Sequence, residues 1–143
     1  MLESIILYEE SLSVLTKAEY SKNWAWATAN MASTFSDLAK FEVGEQAKVL
    51  LHQSLNLYRD ALTVYTRERL PQDWARTTSN SANVLYELTF FEPNEQAKLL
   101  FNKILNLTRD VLTVYTRENF PQDWAWATTN MALTLSELAK FEV

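Results

Sequence analysis

A repeat of 50 residues constrains this chain more than any other feature of its sequence. Residues 51–93 and 101–143 align at this offset with 25 identities in 43 positions. The shared segments include LTVYTRE, at 62–68 and 112–118, and PQDWA, at 71–75 and 121–125. Such self-similarity is typical of proteins that stack one supersecondary unit many times, because a single unit cannot bury its apolar face alone.

A third copy of the repeat precedes these two. Residues 23–43, NWAWATANMASTFSDLAKFEV, correspond to residues 123–143, DWAWATTNMALTLSELAKFEV. Residues 5–17 correspond more loosely to residues 55–67. We interpret residues 1–143 as one repeat domain, in which the first and last units are partial. The units span about 1–21, 22–70, 71–120 and 121–143.

The spacing of apolar residues predicts helices throughout. The strong breakers are few, Gly44, Pro71, Pro93 and Pro121, and apolar residues between them recur every three or four positions. Pro71 and Pro121 suit the first position of a helix, and Asn94 suits an N-cap. The pattern predicts an all-α fold of six helices in three hairpins, at about 2–19, 22–41, 45–69, 71–91, 94–119 and 121–141.

Each unit pairs a shorter helix, A, with a longer helix, B. Helix A of the middle unit places Trp74, Thr78, Ala82, Leu85 and Leu88 on one face. Helix B carries two apolar stripes, as expected of a helix that packs against its hairpin mate and against the next repeat. A B helix of 25 residues would be roughly 37 Å long. We expect Trp24, Trp74 and Trp124, which mark the register, to be buried.

Composition and charge exclude several classes of protein. The chain has no cysteine, which excludes disulfides, thiolate metal sites and a cysteine nucleophile. Its formal charge of −5 argues against nucleic acid or anionic lipid as a partner, because both require a basic face. The N-terminus has no basic segment before a long apolar run, and no 18 consecutive residues are apolar. We therefore expect an intracellular, cytoplasmic protein without a membrane partner.

The sequence offers no constellation for catalysis or for a metal. Its single histidine, His52, has Asn102 as its repeat counterpart and no repeated carboxylate or histidine partner. The carboxylates around Arg59, Arg67, Arg109 and Arg117 are spaced as helix-surface ion pairs. No nucleophile, base and oxyanion donor can be assembled from these residues. We predict that the chain is not an enzyme and binds neither a metal nor a cofactor.

The segment WAWATTNMA, with its asparagine six residues after the first tryptophan, resembles the tetratricopeptide repeat. The closer likeness is to a long variety, common in bacterial and especially cyanobacterial proteins, whose units read roughly YRxALxVYTRExFPQDWAxTQxNLGxAL. Matching positions in the middle unit are Tyr58, Arg59, Ala61, Leu62, 64–68, 71–75, Asn80 and Leu85, and those in the next unit are Arg109, Leu112, 114–118, 120–125, Asn130 and Leu135. The sequence departs from the family at Ala32, Ala82 and Ala132, where a glycine is usual, and at Ser81, where an apolar residue is usual.

This resemblance implies an α-solenoid of antiparallel helix hairpins, wound as a right-handed superhelix. Its concave face, lined mainly by A helices, would hold a peptide segment of a partner protein. The A-helix residues expected to face this groove are Trp26, Asn30, Arg76, Asn80, Asn83, Tyr86, Trp126 and Asn130. Tryptophan and arginine supply much of the binding energy in protein interfaces, and asparagine can pair with backbone amides. Two alternatives stay open: the asparagines could bridge neighbouring helices, and Trp26 and Trp126 could serve self-association.

Self-association is the second hypothesis, and it comes from the repeat register. By that register the chain starts within a B helix, since Met1 corresponds to Leu51, and it stops after an A helix. Neither end resembles a polar cap, which solenoid ends require. We expect either a piece of a longer array or copies that form homo-oligomers by packing through their ends or exchanging helices.

Overall fold

The computed structural model describes residues 2–142 and consists of α-helices joined by short turns. Within these residues there are six α-helices, one 3₁₀ turn and no strand, which confirms the predicted all-α class. The helices are α1 (Leu2–Val14), α2 (Ser21–Ala39), α3 (Gly44–Ala61), α4 (Pro71–Leu88), α5 (Asn94–Val111) and α6 (Pro121–Ala139), and the 3₁₀ turn is Thr89–Phe91.

The helix starts follow the predicted signals closely, with one correction. Helices α4 and α6 begin at Pro71 and Pro121, as predicted, because a proline at the first helical position loses no hydrogen bond. Asn94, predicted as an N-cap, is instead the first residue of α5. The cap position belongs to Pro93, whose extended backbone (ψ 161°) ends the preceding turn, and no side chain caps this helix.

The predicted 25-residue B helices are wrong in length. Helix α3 ends at Ala61 rather than at residue 69, α5 ends at Val111 rather than at 119, and α1 ends at Val14 rather than at 19. The β-branched residues of the LTVYT segment explain the early end, because they disfavour the helix and threonine competes for backbone partners. The Thr63 hydroxyl donates to the Asp60 carbonyl at 2.6 Å, and the Arg69 N–H donates to the Thr66 hydroxyl at 3.3 Å. An 18-residue helix is about 27 Å long.

The chain divides into two compact units, the first extending to Val84 and the second starting at Leu85. In the first unit α2 packs against both α1 and α3. A cluster of Ala25, Ala61, Val64 and Tyr65 forms part of its core, with Trp24 and Leu62 packed around it. The Ser54 hydroxyl of α3 donates to the Ala32 carbonyl of α2 at 2.7 Å, so one buried polar bond also fixes this helix pair.

In the second unit α5 packs against α6 and against the 3₁₀ turn. Its apolar interior includes Phe101, Ile104 and Val111, which are all nearly inaccessible to solvent. Aromatic rings extend this interior: Tyr86 meets Phe101 at a centroid distance of 6.1 Å, and Phe101 meets Phe141 at 6.2 Å. These edge-on and tilted contacts are the geometries that aromatic pairs prefer.

The three register tryptophans are half-buried rather than fully buried as expected. Each carries a cation over its ring: Lys17 lies 5.3 Å from the Trp24 ring, Arg67 5.7 Å from Trp74 and Arg117 5.5 Å from Trp124. The structure thus places Arg67 and Arg117 on indole rings, where the sequence suggested surface ion pairs. Cation and tryptophan are seven residues apart in every unit, so this contact closes each turn between a B and an A helix.

No helix among residues 2–142 combines the length and the apolar character that crossing a bilayer requires.

Candidate functional site

A polar cleft of about 380 Å³ lies between α2 and α4 in the first unit. We refer to it as the cleft. Its lining residues are Trp26, Ala29, Asn30 and Ser33 from α2, Tyr65 from the turn after α3, and Asp73, Arg76, Thr77 and Asn80 from α4.

The α2 wall of the cleft follows from helical spacing. Trp26, Asn30 and Ser33 are four and three residues apart, which puts them on one face of the helix. The opposite side of α2 carries the buried Ala25 and Ala32 and packs against α3. Trp26 is 58% exposed while Asn30 is half-buried, so an exposed indole lies one helical turn from a half-buried amide.

The α4 wall contains an ion pair. The Arg76 guanidinium donates from Nη2 to Oδ1 of Asp73 at 2.6 Å, one helical turn away. Both side chains remain partly open to solvent, at 54% and 34% exposed. Asn80 follows Arg76 by four residues and gives the α4 wall an amide, as Asn30 gives the α2 wall one. Because the two charges offset each other, this wall presents no net charge to a ligand.

Tyr65 joins the two walls from the turn that follows α3. The turn is held by a hydrogen bond from the Tyr65 N–H to the Ala61 carbonyl at 3.0 Å, and Tyr65 is only 4% exposed. Burial raises the pKa of the Tyr65 phenol above its ordinary value of 10.0, Asp73 raises the pKa further, and Arg76 lowers it. The phenol consequently stays protonated at neutral pH and offers the cleft an uncharged hydroxyl.

Chemically, the cleft provides two amides, a phenol, two small hydroxyl side chains and an indole. Each amide can donate and accept hydrogen bonds, as a peptide backbone does. His52 does not line the cleft, and no group of three or more His, Cys, Asp or Glu side chains is gathered around a metal-sized space in residues 2–142. The arrangement therefore suits recognition of a polar chain.

Four of the eight residues proposed from the sequence meet in this cleft: Trp26, Asn30, Arg76 and Asn80. The other four lie elsewhere. Asn83 is exposed on α4 but does not line the cleft. In the second unit Tyr86 is half-buried against Phe90 and Phe101, Trp126 is 66% exposed, and Asn130 is half-buried on α6.

Sequence reasoning missed Tyr65 and Asp73 as cleft residues. Tyr65 falls within residues 45–69, the segment predicted as one continuous B helix, and that prediction hides its position in a turn beside α4. Asp73 lies in the first turn of α4. Its position three residues before Arg76 was the available signal, because side chains at this spacing meet on a helix surface.

A second cleft, of about 410 Å³, lies near the ends of α1, α2 and α3 in the same unit. Leu2, Leu38, Val49 and Leu50 give it an aliphatic surface, and Glu42, Glu45 and Gln46 complete the lining. It has fewer kinds of hydrogen-bonding groups than the cleft between α2 and α4, so it is the weaker candidate for a specific site.

Comparison of the chain with protein-family models, with curated proteins and with solved structures gives no match. The resemblance to the tetratricopeptide repeat thus depends on the repeat motifs of this sequence alone.

Proposed function

We propose that this chain is a non-enzymatic protein-interaction module that binds an extended segment of a partner protein in the cleft between α2 and α4. The observation that carries the proposal is the convergence of Trp26, Asn30, Arg76 and Asn80 on one concave surface. Trp26 and Arg76 occupy equivalent positions in successive repeats, as do Asn30 and Asn80, so each wall presents one asparagine beside one large side chain.

The two asparagines are the groups suited to hold a peptide backbone. Asn30 and Asn80 are 50 residues apart and stand on opposite walls of the cleft. A segment lying between them could exchange hydrogen bonds with both amides at any residue, which would give affinity with little side-chain selectivity. Trp26 adds a broad apolar contact of the kind that dominates binding energy in interfaces.

The ion pair on the α4 wall affects which partner segments bind, according to their charge. An acidic ligand side chain would have to displace Asp73 before it could pair with Arg76, and that exchange gives little net gain. The cleft as a whole therefore favours uncharged segments that bring an apolar or aromatic side chain to Trp26.

A solenoid of tetratricopeptide type is part of the same proposal, as is a cytoplasmic, bacterial setting. Support for the solenoid comes from the 50-residue periodicity and from the packing of α2 against α1 and α3, and of α5 against α6, inside the two units. Support for the setting comes from the resemblance of the repeat motifs.

Selection from a random peptide library displayed on phage tests this function. We expect the wild-type chain to enrich binders whose affinity falls at least about tenfold in both Trp26→Ala and Asn80→Ala. Phe41→Ala is the matched control, since Phe41 is also an exposed aromatic residue of the first unit, at 75% against 58% for Trp26, but does not line the cleft. Two results would contradict the proposal. One is that the selected peptides bind both cleft variants as tightly as the wild type; the other is that the wild type enriches no more peptides than a chain carrying both substitutions.

A further inference from the structure

Helix α6 repeats α2 closely but lacks the cover that α2 has. Residues 123–143 are identical to 23–43 at 16 of 21 positions. In α2, Ala25 and Ala32 are completely buried: Ala25 clusters with Ala61, the last residue of α3, and with Val64 and Tyr65 after it, and the Ala32 carbonyl accepts a hydrogen bond from the Ser54 hydroxyl. Their counterparts in α6, Ala125 and Ala132, are exposed. We call this pair of alanines the α6 face.

Helix α1 carries the complementary half of the same contact. Ser4, Tyr8 and Val14 stand at the register positions of Ser54, Tyr58 and Val64, which are 0%, 3% and 8% exposed. In α1 the serine and the tyrosine are only half-buried, and Val14 is 69% exposed. We call Ser4, Tyr8 and Val14 the α1 face.

Helices α6 and α1 resemble α2 and α3 more than the helices of the other repeat do, although the two alanines of the α6 face recur in α4 as Ala75 and Ala82. Helix α6 shares Trp26, Ala27 and Met31 with α2, as Trp126, Ala127 and Met131, where α4 has Arg76, Thr77 and Ser81. Helix α1 shares the serine and the tyrosine with α3, where α5 has Ile104 and Thr108. The sequence thus repeats the alanines of α2 on α6, and the serine, tyrosine and valine of the α3 side on α1, while Ser11 and Leu15 replace Ala61 and Tyr65.

From this correspondence we infer that the α6 face binds the α1 face of a second copy of this chain, in the arrangement that α2 and α3 adopt within one copy. The Ser4 hydroxyl of one copy donates to the Ala132 carbonyl of the other, as Ser54 donates to Ala32 at 2.7 Å. Val14 packs on Ala125, as Val64 packs with Ala25. None of these five residues is charged, so burying their side chains removes no charge from water.

Association of this kind is heterologous, because each copy offers one α6 face and one α1 face. A copy whose α6 face is bound still has a free α1 face, so a third copy can bind to it. The oligomer therefore lengthens beyond two copies until a ring closes or no free copies are left. This behaviour separates the contact from a two-fold dimer. It also involves none of the cleft residues, so it is independent of the proposed peptide binding.

Light scattering and sedimentation of the 143-residue chain over a range of concentrations test the inference. We expect the mass to rise with concentration to values above a dimer. Ala125→Arg and Val14→Arg should each abolish every species larger than the monomer. The matched controls are exposed residues on the same helices, Leu133→Arg, at 55% exposed, and Ser13→Arg, which should associate as the wild type does.

Mixing the two disabled variants gives the sharpest readout. Ala125→Arg keeps its α1 face and Val14→Arg keeps its α6 face, so an equimolar mixture should form a one-to-one dimer and nothing larger. Circular dichroism of the single variants should match the wild type, because both substituted side chains are exposed. A wild type that stays monomeric, oligomers that survive both substitutions, or a mixture that stays monomeric would overturn the inference.

Discussion

At the scale of single residues, one threonine position recurs in all three repeats without a hydrogen-bond partner. The hydroxyls of Thr28, Thr78 and Thr128 are buried and, within residues 2–142, have no protein partner. Burying an unsatisfied hydroxyl costs roughly 1 to 3 kcal/mol. The repeated position therefore reduces stability, and valine has nearly the same shape without this cost.

We predict that Thr78→Val raises the free energy of unfolding by about 1 kcal/mol, measured by urea denaturation. Thr134→Val is the matched control, since Thr134 is equally buried but its hydroxyl donates to the Asn130 carbonyl at 2.8 Å. That control should give no comparable gain. A loss of stability in Thr78→Val would show that its hydroxyl is satisfied after all.

Tyr65 gives a second prediction at this scale, on the pH dependence of stability. Because its pKa is raised in the folded state, the unfolded chain loses the phenolic proton first. The free energy of unfolding should therefore fall as the pH rises above about 10 and through the folded pKa. Tyr65→Phe should reduce this fall, and denaturation at a series of alkaline pH values measures it.

The neighbours of Tyr65 provide the controls. Asp73→Asn removes a cause that raises the pKa of Tyr65, and Arg76→Gln removes one that lowers it. The pKa of Tyr65, measured by NMR from the pH titration of a ring carbon, should be lower in the first variant and higher in the second. Shifts in the opposite directions would mean that Tyr65 does not face the ion pair.

At the scale of secondary-structure elements, the sequence predicted which helices form better than where they end. Apolar spacing of three and four, with prolines at 71 and 121, was sufficient for six helices. The ends after Ala61 and Val111 escaped this reasoning because the LTVYT segment continues the apolar stripe past the last helical turn. β-Branched residues and threonine hydroxyls terminate the helix there, because the hydroxyls compete for backbone hydrogen-bond partners. The spacing of apolar residues does not reveal this competition.

The same turns contain the repeated cation over tryptophan, which we predict to be stabilising. Arg67→Ala should lower the free energy of unfolding by about 0.5 to 1 kcal/mol, because the Trp74 ring loses its cation. Arg67→Lys should retain most of the stability, since Lys17 occupies the equivalent position over Trp24. Arg69→Ala, in the same turn and exposed, should change little. Equal losses at Arg67 and Arg69 would contradict a specific contribution of the indole contact.

At the scale of the whole chain, the repeat predicted the fold class and four of the nine residues that line the cleft. Trp26, Asn30, Arg76 and Asn80 could be found because one helical face recurs every 50 residues. Tyr65 could not, because its contribution depends on a turn that brings distant residues together. The proposed contact between α6 and α1 of two copies also follows from the repeat, because α6 shares its alanines with α2, and α1 shares its serine and tyrosine with α3.

The central claim is that a partner segment binds beside Trp26, and the indole N–H signals of the five tryptophans test it directly in one ¹⁵N NMR titration. The titrant is a peptide selected by the wild-type chain. The account predicts that the Trp26 signal, assigned through Trp26→Phe, shifts in proportion to the bound fraction while those of Trp74 and Trp124 stay in place. A bound peptide that leaves the Trp26 signal unmoved would contradict the account.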